Sequence, residues 1–202
     1  NSAQTVTVTG VDDNIIDGNI NTTITMAVVD ASSDDNFDGV ANQTVTATTT
    51  DNDTAGFTLS KTTATVTEAG GTDTYTVVLD AQPDSNVVIT VTSADTGEVT
   101  VSAAELTFTN GNWDTPQTVT LTGVDDDVID VDTQTTVTMS VKDASSDDNF
   151  DGVSDQTVTV TTTDNDTAGF TLSKTTATVT EALGTDTYTV VLNAQPNSDV
   201  VI

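Results

Sequence analysis

A chain that returns to the same sequence after a fixed interval has to solve one folding problem within that interval. Gly56 through Glu68 returns as Gly169 through Glu181, an offset of 113 residues (169 − 56). Ala31 through Gly39 returns as Ala144 through Gly152 at the same offset. The repeat predicts a tandem array. One complete unit spans 56–168, the C-terminal part of a preceding unit spans 1–55, and the N-terminal part of a following unit spans 169–202.

Within the unit, apolar residues alternate with polar ones at a period of two. Val119 and Leu121 alternate with Thr118, Thr120 and Thr122; Val137, Met139 and Val141 alternate with Thr136, Thr138 and Ser140; Val158 and Val160 alternate with Thr157, Thr159 and Thr161. This is the pattern of antiparallel strands with one buried face. Threonine and valine are β-branched and favour strands, and no segment keeps a helical period. Turn signals at Ala69-Gly70-Gly71, Gln82-Pro83-Asp84, Asp95-Thr96-Gly97 and Asn110-Gly111-Asn112 punctuate the strands. Seven or more short strands in about 110 residues predict an all-β fold of tandem immunoglobulin-like antiparallel β-sandwiches. The predicted strands are A (57–67), B (72–80), C (86–93), D (98–109, with a possible split), E (117–123), F (134–142) and G (156–163).

The formal charge is −29, with three lysines, no arginine and no histidine. Nucleic acids and anionic membranes are recognised by clustered Lys and Arg, so neither is an expected partner. Cations are. With no cysteine there is neither a disulfide framework nor a thiolate metal site. No apolar run approaches the roughly 20 residues of a membrane span. His-dependent triads and thiol nucleophiles are excluded, and the carboxylates lie in repeated loops without an aromatic-lined pocket, so no enzyme is expected.

The acids gather in three stretches of the complete unit, at 124–132, 143–155 and 164–166. Packing carboxylates this densely is repulsive unless a cation is bound. Asp147, Asn149 and Asp151, followed by Gly152, carry oxygen ligands at positions 1, 3 and 5 and glycine at 6, the spacing by which an EF-hand-type loop wraps calcium. The Val153 carbonyl and Asp155 carboxylate would take positions 7 and 9. Position 12 departs, with Val158 in place of a bidentate glutamate. Asp34, Asn36 and Asp38 repeat the spacing in the preceding copy. A solvated Asp/Asn turn is the alternative reading of both loops.

A second cluster follows from topology, since alternate loops of a sandwich share one end. The A–B turn with Glu68, the E–F loop with Asp125, Asp126, Asp127 and Asp130, and the exit with Asp164 and Asp166 converge at the C-terminal end, against the next unit. The F–G loop lies at the other end, facing the preceding linker at 51–53. Asp12, Asp13, Asp17, Asp51 and Asp53 are the counterparts of Asp125, Asp126, Asp130, Asp164 and Asp166, and Glu181 is the counterpart of Glu68. Hard oxygen ligands favour Ca2+ or Mg2+ over zinc or copper, and many protein carboxylates favour Ca2+. An acidic rim that only keeps the edges soluble is the alternative.

The run Val66 through Gly71, then Leu106-Thr107-Phe108 with Trp113, then Gln117 through Leu121 leading into Val124-Asp125-Asp126, resembles the Calx-β family of immunoglobulin-like modules. With Asp164-Asn165-Asp166-Thr167-Ala168-Gly169-Phe170 at the junction, the chain is similar to extender repeats of giant bacterial adhesins of the RTX type. The resemblance implies calcium ligation by Glu68, Asp125, Asp126, Asp127, Asp164 and Asp166, and an extracellular stalk on a bacterial surface whose linkers stiffen when calcium binds. The glycine-rich RTX nonapeptide is absent, so type I secretion is implied by the resemblance alone. The leading expectation is a calcium-dependent spacer that projects a distal ligand-binding domain, with neighbouring repeats as its partners. The alternative is a module that adheres itself, to glycans, ice or a sister chain. The two partial units also lack their partner strands, which predicts head-to-tail association between molecules.

Overall fold

The computed structural model describes residues 2–202, and strands form where the alternation predicts them. In the preceding partial unit, β1 (Ile20–Met26) and β2 (Gln43–Thr49) form an antiparallel hairpin. The complete unit contributes β3 (Phe57–Leu59), β4 (Thr63–Thr67), β5 (Thr72–Leu79), β6 (Val87–Ser93), β7 (Val99–Val101), β8 (Glu105–Phe108), β9 (Gln117–Gly123), β10 (Thr133–Val141) and β11 (Gln156–Thr163). The following partial unit has β12 (Phe170–Leu172) paired with β13 (Val190–Leu192). Among the described residues the only helical elements are 3-10 turns.

The complete unit is an antiparallel β-sandwich of two sheets, ordered β4-β11-β10-β6-β8 and β3-β5-β9-β7. The period-two pattern becomes the core directly. Tyr75, Val77 and Leu79 of β5 and Val119 and Leu121 of β9 meet Val87, Ile89 and Val91 of β6, Val137 and Met139 of β10, and Val158 and Val160 of β11. Each such side chain fully withdrawn from water contributes about 1.5–3 kcal/mol. Phe57, Phe108 and Phe150 complete the core, and Trp113 is partly buried against it.

Two of the predicted strands change sheets part-way. Strand A leaves β5 after Ser60, whose hydroxyl accepts the Thr76 N–H at 2.8 Å, and resumes as β4 beside β11. The chain keeps its direction across this switch, so β4 pairs with β11 in parallel, from Thr63 opposite Thr159 to Thr67 opposite Thr163. This parallel pair is the departure from the purely antiparallel expectation. Strand D divides likewise: β7 pairs with β9, and β8 pairs with β6. Each flank of the sandwich is therefore bridged by a strand shared between the sheets, which limits the open edge available for aggregation.

One glycine positions the acidic end. Gly123 closes β9 with its N–H donating to the Gly71 carbonyl at 2.9 Å. A Cβ at Gly123 would collide with the Thr67 backbone, meeting its carbonyl carbon at 2.8 Å. Only glycine lets the start of the E–F loop lie this close to the A–B turn.

Candidate metal centre

The A–B turn is made tight by Gly70, in the left-handed region at φ 76°. Glu68 precedes it and is only 2% exposed. Its carboxylate joins two groups whose ligand atoms lie within 4.8 Å of one another: Glu68 with Asp164 and Asp166, and Glu68 with Asp126 and Asp130. One side chain is thus common to the E–F loop and to the segment that exits β11. The two groups share Glu68, and so draw acids from the A–B turn, the E–F loop and the exit segment to one end of the sandwich.

Neighbouring N–H groups fix the members of the cluster. Asn165 N–H donates to Glu68 Oε2 at 3.2 Å, and Asn165 Nδ2 donates to Asp125 Oδ1 at 2.8 Å, which places Asp125 on the rim. Asp164 accepts from the N–H groups of Asp166 (2.7 Å) and Val131 (3.2 Å). Val131 sits at φ 65°, a costly conformation for a β-branched residue, where the preceding copy has Gly18 at φ 69°. Asp127 is exposed, and its backbone carbonyl accepts from Gln195 N–H at 2.6 Å.

Three carboxylate oxygens are buried without a donor among the described residues: Asp130 Oδ1, Asp166 Oδ2 and Glu98 Oε2. Buried acceptors normally find hydrogen-bond donors, and acceptor-only oxygens facing one another suit a hard cation. The donor set therefore fits calcium. Burial pushes the Glu68 carboxyl above its ordinary range; the Asn165 N–H opposes this, and the charges of Asp130, Asp164 and Asp126 add to it. Asp166 is raised by burial and then by Asp164, Asp127, Asp125 and Asp126.

Glu98, outside both groups, is the neighbouring acid that the sequence does not single out. Its carbonyl accepts the Val124 N–H at 2.9 Å, which sets it beside the E–F loop; burial raises its carboxyl first, and the charges of Asp130, Asp95 and Asp126 raise it further. It follows the Asp95-Thr96-Gly97 turn between β6 and β7, and a C–D loop shares its end of the sandwich with the A–B and E–F loops. That topological rule was the signal available.

These raised carboxyls fix a pH dependence. In metal-free protein the folded state holds protons that the unfolded chain has already released, so stability rises as pH falls from neutral toward the ordinary carboxylate range near about 4. Below that range Asp73, held low by Lys61, loses its stabilising contribution. A thermal melt in chelator is expected to give a higher Tm at mildly acidic pH than at pH 7. With calcium present the order reverses, because protons compete for the ligands.

The preceding copy repeats the exit geometry. Asp51 accepts from Gly18 N–H and Asp53 N–H, both at 2.8 Å. Burial raises Asp53, followed by the charges of Asp51, Asp12, Asp13 and Asp17. Glu181, in the following copy, is exposed, and among the described residues no carboxylate group gathers around it.

The F–G loop is organised differently from the predicted calcium loop. Asp147 is 5% exposed, but Oδ2 accepts the Ser85 N–H at 2.8 Å and Oδ1 accepts the Asn149 N–H at 3.0 Å. Burial acts to raise this carboxyl, and the N–H groups of Ser85 and Asn149 outweigh it and hold it low. Phe150 is drawn fully into the core and Val153 packs against it, while Asp151 and Asp155 stay exposed. The structure does not gather Asp147, Asp151 and Asp155 into a common group. In the preceding copy Asp34 is occupied in the same way, accepting from the backbone N–H and Nδ2 of Asn36, and Asn36 and Asp38 are exposed. The physical reason is that Asp147 caps a 3-10 turn at Asp148–Phe150 and ties it to the B–C turn. Asp147→Ala is expected to cost about 2–3 kcal/mol, through two N–H groups left without their charged acceptor. Its calcium response should match wild type, as a paired calcium titration and melt would show.

Among the described residues, no helix is long and apolar enough to cross a membrane. No protein-family model matches the chain, and no curated protein matches it. Among solved structures it is similar to domains 4 and 5 of the S-layer protein SbsC, at 24% identity and TM-score 0.41 over 62% of this chain and 54% of that one. It is similar to the apo-form Calx CBD1 domain, at 18% and 0.40 over 55% and 100%, and to CBD12 from CALX1.2, at 19% and 0.42 over 59% and 49%. The chain thus spans about half the length of the SbsC and CBD12 structures. By its own strand order and register it is an all-β protein built on an antiparallel β-sandwich, with an acidic cluster at the end that meets the next repeat.

Proposed function

We propose that the chain is a calcium-binding spacer from a tandem array, an extender of a large bacterial cell-surface adhesin in which Ca2+ stiffens the joints between modules. The observation that carries this reading is Glu68, a buried carboxylate common to both acidic groups, whose other members come from the E–F loop and from the segment leading into the next repeat. A cation there ties the end of one sandwich to the start of the following linker. Buried oxygens of Asp130 and Asp166 without donors support a ligand of positive charge.

The working principle is linkage. Calcium binds the straight, folded junction better than the bent or unfolded one, and each site held at 100 times its dissociation constant adds about 2.7 kcal/mol. Extracellular calcium sites bind at roughly 0.1–1 mM. An array of such joints is stiff outside a cell and slack where calcium is scarce. Small-angle scattering of this chain across a calcium titration is expected to show a longer maximum dimension within the particle and a less flexible profile as calcium rises. A scattering profile and melting curve that both ignore calcium would sink the proposal.

A further inference from the structure

The E–F loop has a second contact set that its acids do not explain. Gln82 N–H, in the B–C turn of the complete unit, donates to the Asn14 carbonyl of the preceding unit at 2.8 Å. At the same offset, Gln195 N–H of the following unit donates to the Asp127 carbonyl at 2.6 Å. Parallel bridges join Ile15 to Gln82 and Val128 to Gln195. Two junctions in one chain thus share one register, and both are made by main-chain groups, so the change from Asn14 to Asp127 leaves the hydrogen bond intact.

Side chains complete the contact. Ile16 is partly buried and packs against the core of the complete unit, as does Ala55. The neighbouring Ala81 is fully buried. The B–C turn is braced from behind, since Gln82 Nε2 donates to the Asn110 carbonyl at 3.1 Å and Asn110 Nδ2 donates to the Pro83 carbonyl at 3.3 Å. The partner surface is therefore a held turn rather than a loose loop.

We propose that residues 14–16, and their counterparts 127–129, are a docking element for the Ala-Gln-Pro turn of the next repeat, and that docking and metal binding in the same loop are one coupled event. This rests on the metal reading above. The coupling follows from position: the docking residues 127–129 lie between Asp126 and Asp130, both members of the acidic group. Fixing the two flanks with a cation fixes the carbonyl and apolar side chain between them. By reciprocity, a docked loop must bind the cation more tightly.

The test is amide hydrogen exchange by NMR on the full chain, with calcium binding measured by calorimetry. In wild type, calcium is expected to slow exchange at Gln82 and Gln195 at least tenfold. Ile16→Ser should restore fast exchange at Gln82 alone, with Gln195 still protected. Equal protection of Gln82 in wild type and Ile16→Ser would overturn docking. Binding heat that leaves both wild-type amides unchanged would overturn the coupling while the metal reading stood. If calcium gave no heat at all, the metal reading and the coupling would fall together, and protection of Gln82 lost in Ile16→Ser would still support docking.

Discussion

Removing calcium from this protein is expected to lower the Tm of the complete repeat by roughly 10–20 °C. One ion at 100 times its dissociation constant contributes about 2.7 kcal/mol, and for a domain near 100 residues each kcal/mol moves Tm by about 4–8 °C. The sign is set by repulsion. Without a cation, Glu68 is held 2% exposed among Asp126, Asp130, Asp164 and Asp166. Differential scanning calorimetry in calcium and in chelator measures the difference directly. Magnesium should recover only part of it, because Mg2+ keeps much of its water.

The second large effect is a pair of opposed shifts from Glu68→Gln. The amide oxygen of glutamine still accepts the Asn165 N–H, and the backbone bond from Glu68 N–H to the Thr163 carbonyl is untouched. What goes is a buried negative charge. Metal-free protein is therefore expected to melt a few degrees higher than wild type. Calcium affinity is expected to fall at least tenfold, because the lost ligand is common to both acidic groups, and each tenfold is about 1.4 kcal/mol. A rim of acids that serves only solubility would give the first shift and no calcium effect in either protein. Loss of stability in chelator would contradict the repulsive cluster itself.

Most of the sandwich was legible because its information is local. Alternating Val and Thr fix which face of each strand is buried, and the Gly-, Pro- and Asn-rich turns mark where strands end. What alternation does not encode is a change of sheet. Ser60-Lys61-Thr62 and Ser102-Ala103-Ala104 look like interruptions within one strand, and only the edge partners, β11 and β6, decide that the chain crosses over. The parallel pairing of β4 follows from that long-range choice.

The site was legible to the extent that topology, rather than motif, was used. The loops that share an end carry Glu68 and the E–F and exit acids. The Asp147 motif had the better spacing, yet spacing says nothing about competing donors, and Ser85 and Asn149 occupy the carboxylate. Glu98 lies at 90–113, the part of the unit that neither partial copy contains, so comparison between copies could not single it out. The B–C turn is legible as a turn, but its contact with the preceding unit is not, for a different reason. Ala81-Gln82-Pro83 and Ala194-Gln195-Pro196 are identical while Asp80, Asp84 and Asn86 become Asn193, Asn197 and Asp199, but the turn works through a backbone N–H, which no side-chain pattern announces.

The most direct test of a cation at the joint is a crystal structure of the chain grown in calcium. Anomalous density is expected between Glu68, Asp126, Asp130, Asp164 and Asp166, with carboxylate oxygens about 2.3–2.6 Å from the ion. Density lying instead in the F–G loop at Asp147 to Asp155, or no ion at either place at millimolar calcium, would contradict it.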